Sequence, residues 1–185
     1  PVNRSSGVGK RNYAMLLLAS RLGLRASDIA NLQFSNIDWD NNVLTLVMHK
    51  TGKVIELPLL ADVGNAIIDY LQHGRPQTVS QNVFLSCKAP YVPATKSMVC
   101  SAINNIICKS GIDVSAKHHG PHSLRHSLAS VMLEKGTTLP VISESLGHRS
   151  TETTLTYLKI DIKSLIECAI PVPPVPDAFY KQRGG

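Results

Sequence analysis

No apolar run in this 185-residue chain approaches the about twenty residues that a membrane-spanning helix requires. The longest candidate, Tyr13 to Ala19, suits the core face of a packed helix. The opening Pro1-Val2-Asn3-Arg4-Ser5-Ser6 has no apolar stretch, so it is not expected to be a secretory leader. There is no initiator Met, and the sequence reads as a fragment lacking an N-terminal part. Four cysteines (Cys87, Cys100, Cys108, Cys168) form no C-x-x-C pair, which argues against a zinc site and a disulfide framework. Reduced thiols in a cytoplasmic protein fit better. Internal repeats are absent, and no cluster of carboxylates suggests a two-metal site. Gly7-Val8-Gly9-Lys10 imitates a phosphate loop, but Arg11 follows where Ser or Thr is required and the first glycine is missing.

What remains is a chain long enough for one domain with a real core. Its hydrophobic content is 43%, and its net charge of +6 makes an anionic partner plausible. The apolar spacing predicts a helix from Lys10 to Arg21, ended by Gly23, then a short one that Ser27 would N-cap. Asn36 to Asp40 is a strand candidate, and Val43 to Met48 is the clearest strand. Thr51-Gly52-Lys53 turns the chain into its partner, Val54 to Leu57. Helical spacing returns over Ala61 to Gln72, Met98 to Lys109, Pro121 to Lys135 and Leu139 to Leu146. Thr153 to Leu158 and Ile162 to Ala169 read as two more short helices. Arg75 to Ala94 is loop-rich apart from a strand-like Val83-Phe84-Leu85. Pro171-Val172-Pro173-Pro174-Val175-Pro176 cannot continue a helix. The expected class is mainly α with a small antiparallel β-sheet (α+β).

Several residues invite a chemical reading, each with an ordinary alternative. His122 and Arg125 stand three apart on one helix and share a face; alone, they would pass for a satisfied histidine and a solvated arginine. His118, His122 and His126 have the spacing of metal ligands, but Gly120-Pro121 interrupts that register and Arg125 would set a fixed cation beside the metal. Arg25 follows the first helix stop and can fork two hydrogen bonds onto phosphate oxygens. Asp28, three residues on, either orients a neighbour or makes a weak surface ion pair. Lys50 sits at the hairpin turn, where a mobile ammonium can enter a groove, with Lys53 as its competitor. Tyr157 lies nine residues after His148, the last member of Leu146-Gly147-His148.

Taken in order, Arg25, Lys50, His122, Arg125, His148 and Tyr157 give the chain a pattern that resembles the tyrosine recombinases, or phage integrase family. The matching motifs are Gly23-Leu24-Arg25-Ala26-Ser27-Asp28, the lysine hairpin, the H-x-x-R helix, and L-G-H with its tyrosine. Asp28 stands where that family has an acidic residue. The resemblance covers Lys10 to about Ala169 and implies the family's catalytic-domain fold over residues 1–170, with 171–185 as a proline-rich tail. The N-terminal core-binding domain that completes the DNA clamp in relatives is expected to lie outside this fragment.

The resemblance further implies a DNA strand-transfer enzyme with Tyr157 as nucleophile. A free tyrosine is only about one-thousandth phenolate at neutral pH, equivalent to roughly 4 kcal/mol, so it needs a proton acceptor or a strongly positive site. Arg25 and Arg125 would clamp the phosphate oxygens and His148 would add a donor. His122 would accept or relay the tyrosine proton, and Lys50 would protonate the leaving 5′-oxygen. A 3′-phosphotyrosine link would conserve bond energy, so neither ATP, metal nor other cofactor is expected. The implied partners are double-stranded DNA, further copies of the chain in a tetrameric synapse and accessory DNA-bending proteins. The implied location is the bacterial cytoplasm, at the nucleoid when bound to DNA, with no membrane. The segment after Tyr157 is expected to dock on a neighbouring protomer. A type IB topoisomerase would use similar chemistry to relax supercoils, and a catalytically silent DNA-binding module would share the charge.

Overall fold

The computed structural model describes residues 3–113 and 119–147. His148, Tyr157, the short helices expected over Thr153 to Leu158 and Ile162 to Ala169, and the proline-rich segment lie outside those residues. Helix α1 (Gly7–Arg21) opens where the Ser6 hydroxyl accepts from the Gly9 N–H at 3.1 Å, capping a donor that the helix cannot satisfy itself. It ends at Gly23, whose φ of +63° is the left-handed conformation natural to glycine. A Cβ there would lie 2.8 Å from Leu146 Cδ2 and 3.0 Å from Leu128 Cδ2, so the turn also permits close packing.

Helix α2 (Ala26–Ala30) follows at once. Ser27 does not cap it. The N-cap is Arg25, whose carbonyl accepts from the Asp28 and Ile29 N–H groups at 2.9 and 3.0 Å, which places Ser27 inside the first turn. A 3₁₀ turn over Phe34–Asn36 leads into strand β1 (Ile37–Asp38). This strand is shorter than Asn36 to Asp40 because the Asp38 carboxylate accepts from the Asp40 and Asn41 N–H groups and bends the chain away.

Strands β2 (Val43–Val47) and β3 (Val54–Pro58) complete an antiparallel sheet in the order β1-β2-β3, with Leu44 opposite Leu57 and Leu46 opposite Ile55. Those four side chains are buried, while Val47 and Val54, paired on the other face, are exposed. The period-two alternation therefore turns one face of the sheet to the core.

The remaining helices are α3 (Ala61–His73), α4 (Lys96–Cys108), α5 (Pro121–Glu134) and α6 (Leu139–Ser145). Met15 and Leu18 of α1 belong to one core cluster with Ile67 and Tyr70 of α3, Val99 and Ile103 of α4, and Leu44 of the sheet. A smaller apolar cluster, Ala129, Ile142 and Leu146, joins α5 to α6. Arg75 organises the loop before α4 by donating to the carbonyls of Ser80, Asn82 and Val83 while its guanidinium lies over Phe34. Cys87, Cys100 and Cys108 are free thiols. No helix among the described residues is long and apolar enough to cross a membrane.

Candidate active site

Four separate segments meet at one open cleft of about 950 Å³. Arg25 enters from the α1–α2 corner, Lys50 from the β2–β3 turn, and His122 and Arg125 from the first turns of α5. The far wall is α4, where Lys96, Cys100 and Asn104 recur every fourth residue and so share a face. Lys53, the competing turn lysine, is not among the residues that line the cleft.

Arg125 is held most firmly. It is 2% exposed. Its Nη1 donates to the Gly23 carbonyl at 2.6 Å and its Nη2 to the Leu146 carbonyl. A buried guanidinium requires such acceptors, and these two bind the α1–α2 corner and the end of α6 to α5. Arg25 is half-buried, and its Nη1 has no hydrogen-bond partner among the described residues. Such an atom is costly to leave unpaired and suits an anion.

Asp28 ties the lysine hairpin down. Its Oδ1 accepts from the His49 backbone N–H at 2.9 Å, immediately before Lys50, and the residue is 4% exposed. Asp28 thus links the helix that begins at Arg25 to the turn that carries Lys50, and it is not a surface ion pair. The hairpin has a second anchor: Met48 is fully buried, and a Cβ on Gly147 would lie 3.1 Å from its Cγ.

Positive charge accumulates here. Burial holds the His122 imidazole below its ordinary pKa, and the nearby Arg125, Lys50 and Arg25 cations lower it further. His126, one turn on, has its Nε2 2.8 Å from His122 Nε2 and is lowered by burial, then by His122 and Arg125. Such a field disfavours a bound metal cation, and the described residues contain no group of three metal-ligating side chains. His118 lies outside the described residues.

The structure therefore brings Arg25, Asp28, Lys50, His122 and Arg125 together, across a sequence span of a hundred residues. Sequence spacing does not single out His126 as the partner of His122, although the two stand four residues apart. Nor does it assign the cleft face of α4, though Lys96, Cys100 and Asn104 repeat at helical intervals.

The phage integrase family model matches residues 3–163. The chain belongs to that family. This integrase-family chain is 43% identical over 173 residues to a Sinorhizobium fredii protein provisionally named integrase/recombinase y4rA, covering 93% of the chain and 41% of that protein. It is 32% identical over 161 residues to tyrosine recombinase XerA of Pyrococcus furiosus, covering 85% of the chain and 53% of XerA. The chain thus spans about half, or less, of these two relatives. Its fold matches the XerH site-specific recombinase bound to a palindromic difH substrate in a post-cleavage complex. That match has a TM-score of 0.72 at 23% identity, over 89% of this chain and 46% of XerH. The mainly helical architecture with one small antiparallel sheet is the catalytic-domain fold of tyrosine recombinases.

Proposed function

We propose that this chain is the catalytic part of a site-specific DNA recombinase, which cleaves and rejoins strands through a 3′-phosphotyrosine intermediate. The observation that carries the reading is the convergence of Arg25, Lys50, His122 and Arg125 on one cleft from separate parts of the sequence. Ordinary surface cations repel and disperse; a group of them gathered around a cavity needs an anion to justify it. A DNA phosphodiester supplies one, and the DNA-bound state of XerH supports that choice of partner.

In the proposed reaction Tyr157 attacks the phosphorus and His122 takes the phenolic proton. The guanidinium of Arg25, whose Nη1 has no hydrogen-bond partner among the described residues, and the fixed charge of Arg125 stabilise the charge that grows on the phosphate oxygens. His148 adds a donor. Lys50 gives a proton to the departing 5′-oxygen, so the strand leaves as a hydroxyl and not as an alkoxide. Asp28 keeps Lys50 in register through the His49 N–H. One phosphoester replaces another, so religation runs the same steps backwards without ATP.

Residues 1–170 form the catalytic domain in this reading, and 171–185 a tail that contacts a neighbouring protomer. A separate N-terminal domain completes the grip on DNA, and a tetramer assembles on two duplexes. A nicked suicide substrate, built on candidate sites from DNA flanking the gene, tests the proposal. The parent protein should form a covalent protein–DNA adduct, and Tyr157→Phe should bind the same DNA and form none. Adduct formation that persists in Tyr157→Phe removes Tyr157 as nucleophile. Supercoil relaxation without strand exchange would favour a topoisomerase, and binding with no adduct a silent module.

A further inference from the structure

His126 has no part in the proposed reaction, yet it makes the closest polar contact to a proposed proton carrier. It follows His122 by one turn of α5, their Nε2 atoms are 2.8 Å apart, and the rings meet edge to face with centroids 4.3 Å apart. Two imidazole nitrogens at that distance share a hydrogen bond, which requires a proton on one and a lone pair on the other. His122 lines the cleft and His126 does not. The nitrogen His122 spends on His126 is therefore unavailable to substrate, and only its Nδ1 remains for chemistry.

We propose that His126 is a positioning residue whose unprotonated Nε2 accepts the Nε2–H of His122, leaving the His122 Nδ1 lone pair to receive the nucleophile's proton. This rests on the reading of His122 as proton acceptor. With the hydrogen bond reversed, His122 would carry its proton on Nδ1 and could accept nothing there. During cleavage the Tyr157 oxygen bonds to phosphorus, the bond to the 5′-oxygen breaks, the phenolic proton moves to His122 Nδ1 and a Lys50 proton moves to the 5′-oxygen. His122 is then an imidazolium whose Nε2–H donates to a neutral acceptor, a charge-assisted bond that holds the ring still. Religation returns both protons.

A third group that orients the base is a general device of nucleophilic catalysis, and a carboxylate usually fills the role. Here a carboxylate would subtract from the positive charge that Arg25, Lys50 and Arg125 offer the phosphate. A neutral imidazole orients without doing so. Both histidines are held below their ordinary pKa by burial first, which keeps the pair neutral before the reaction.

The first test needs no substrate. Long-range ¹H–¹⁵N spectra of the full-length protein, labelled at histidine and held slightly alkaline, report each ring's tautomer. The expected result is His122 protonated at Nε2 and His126 in the less common Nδ1–H form; His126 protonated at Nε2 overturns the proposal. The second test measures adduct formation at saturating suicide substrate. His126→Phe should slow it by about ten- to a hundredfold, the size typical of losing the partner that orients a metal-ligating histidine, with DNA affinity unchanged. His126→Gln, whose amide oxygen can accept the same proton, should recover most of the rate. Equal rates in the parent and His126→Phe, or no recovery with Gln, overturn the proposal. A parent that forms no adduct at all refutes the recombinase reading, while the spectra still report on the histidine pair.

Discussion

Replacing Arg125 would separate two jobs that one guanidinium performs. Its terminal nitrogens bridge the Gly23 and Leu146 carbonyls in a site where the side chain is 2% exposed. Arg125→Ala strands both carbonyls and removes the stem beneath them. A bond from a charged donor is worth about 1.5–3 kcal/mol, so losing the pair should cost on the order of 3–6 kcal/mol. That is a large share of the roughly 5–15 kcal/mol that stabilises a typical domain. Arg125→Lys retains the charge, but a single ammonium cannot reproduce a planar fork that spans two acceptors. It should recover only part of the loss. Urea unfolding of the three proteins, compared through midpoints at a common slope, provides the measurement. Because Arg125 is one cause of the low His122 pKa, a folded Arg125→Ala protein should also show that pKa rising towards the ordinary value. Equal unfolding free energies for parent and Arg125→Ala would refute the bridging role, and inactivity of that variant could then be read as lost charge alone.

Lys50→Ala should form adduct poorly on normal DNA and recover on a substrate whose leaving oxygen is replaced by sulfur, which departs without a general acid. Lys53→Ala should behave as the parent, since Lys53 does not line the cleft; the opposite ranking would exchange their roles. Asp28→Ala, by removing the acceptor of the His49 N–H, should cost about 1.5–3 kcal/mol in urea unfolding and slow cleavage at saturating DNA. Asp28→Asn keeps an acceptor and should lose less, and parental behaviour of the Ala variant would count against the anchor. Stability should fall on acidification, because His122 and His126 have folded pKa values below their ordinary 6.5. The unfolded chain then binds more protons, so their contribution is complete above about pH 6.5 and is lost as pH falls towards the folded values. Replacing both by Gln should flatten the slope between about pH 8 and 5.5; an unchanged slope would locate the effect elsewhere.

Local chemistry explains which parts of the fold are legible from residues alone. The alternating run from Val43 and the stop at Gly23 carry their own instructions, in side-chain period and backbone conformation. The α2 cap is not legible in this way: Ser27 has the right side chain for it, whereas the Arg25 carbonyl decides where the helix begins. β1 stops short of its apparent length because the carboxylate of Asp38 competes for the N–H groups of the next residues.

By itself the sequence determined the family, the motifs and the kinds of residue available to hold a phosphate, because those depend on residue type and spacing. It also limited His122 and Arg125 to one helix face. Only the tertiary structure set Lys50, and not Lys53, in the lining of the cleft, joined Asp28 to the hairpin and made Arg125 a bridge as well as a charge. It also turned His126 from a neighbour in the chain into a partner of His122. Those outcomes depend on which groups are desolvated together after α1, the hairpin and α5 pack. Residue spacing alone does not specify such contacts across a hundred positions.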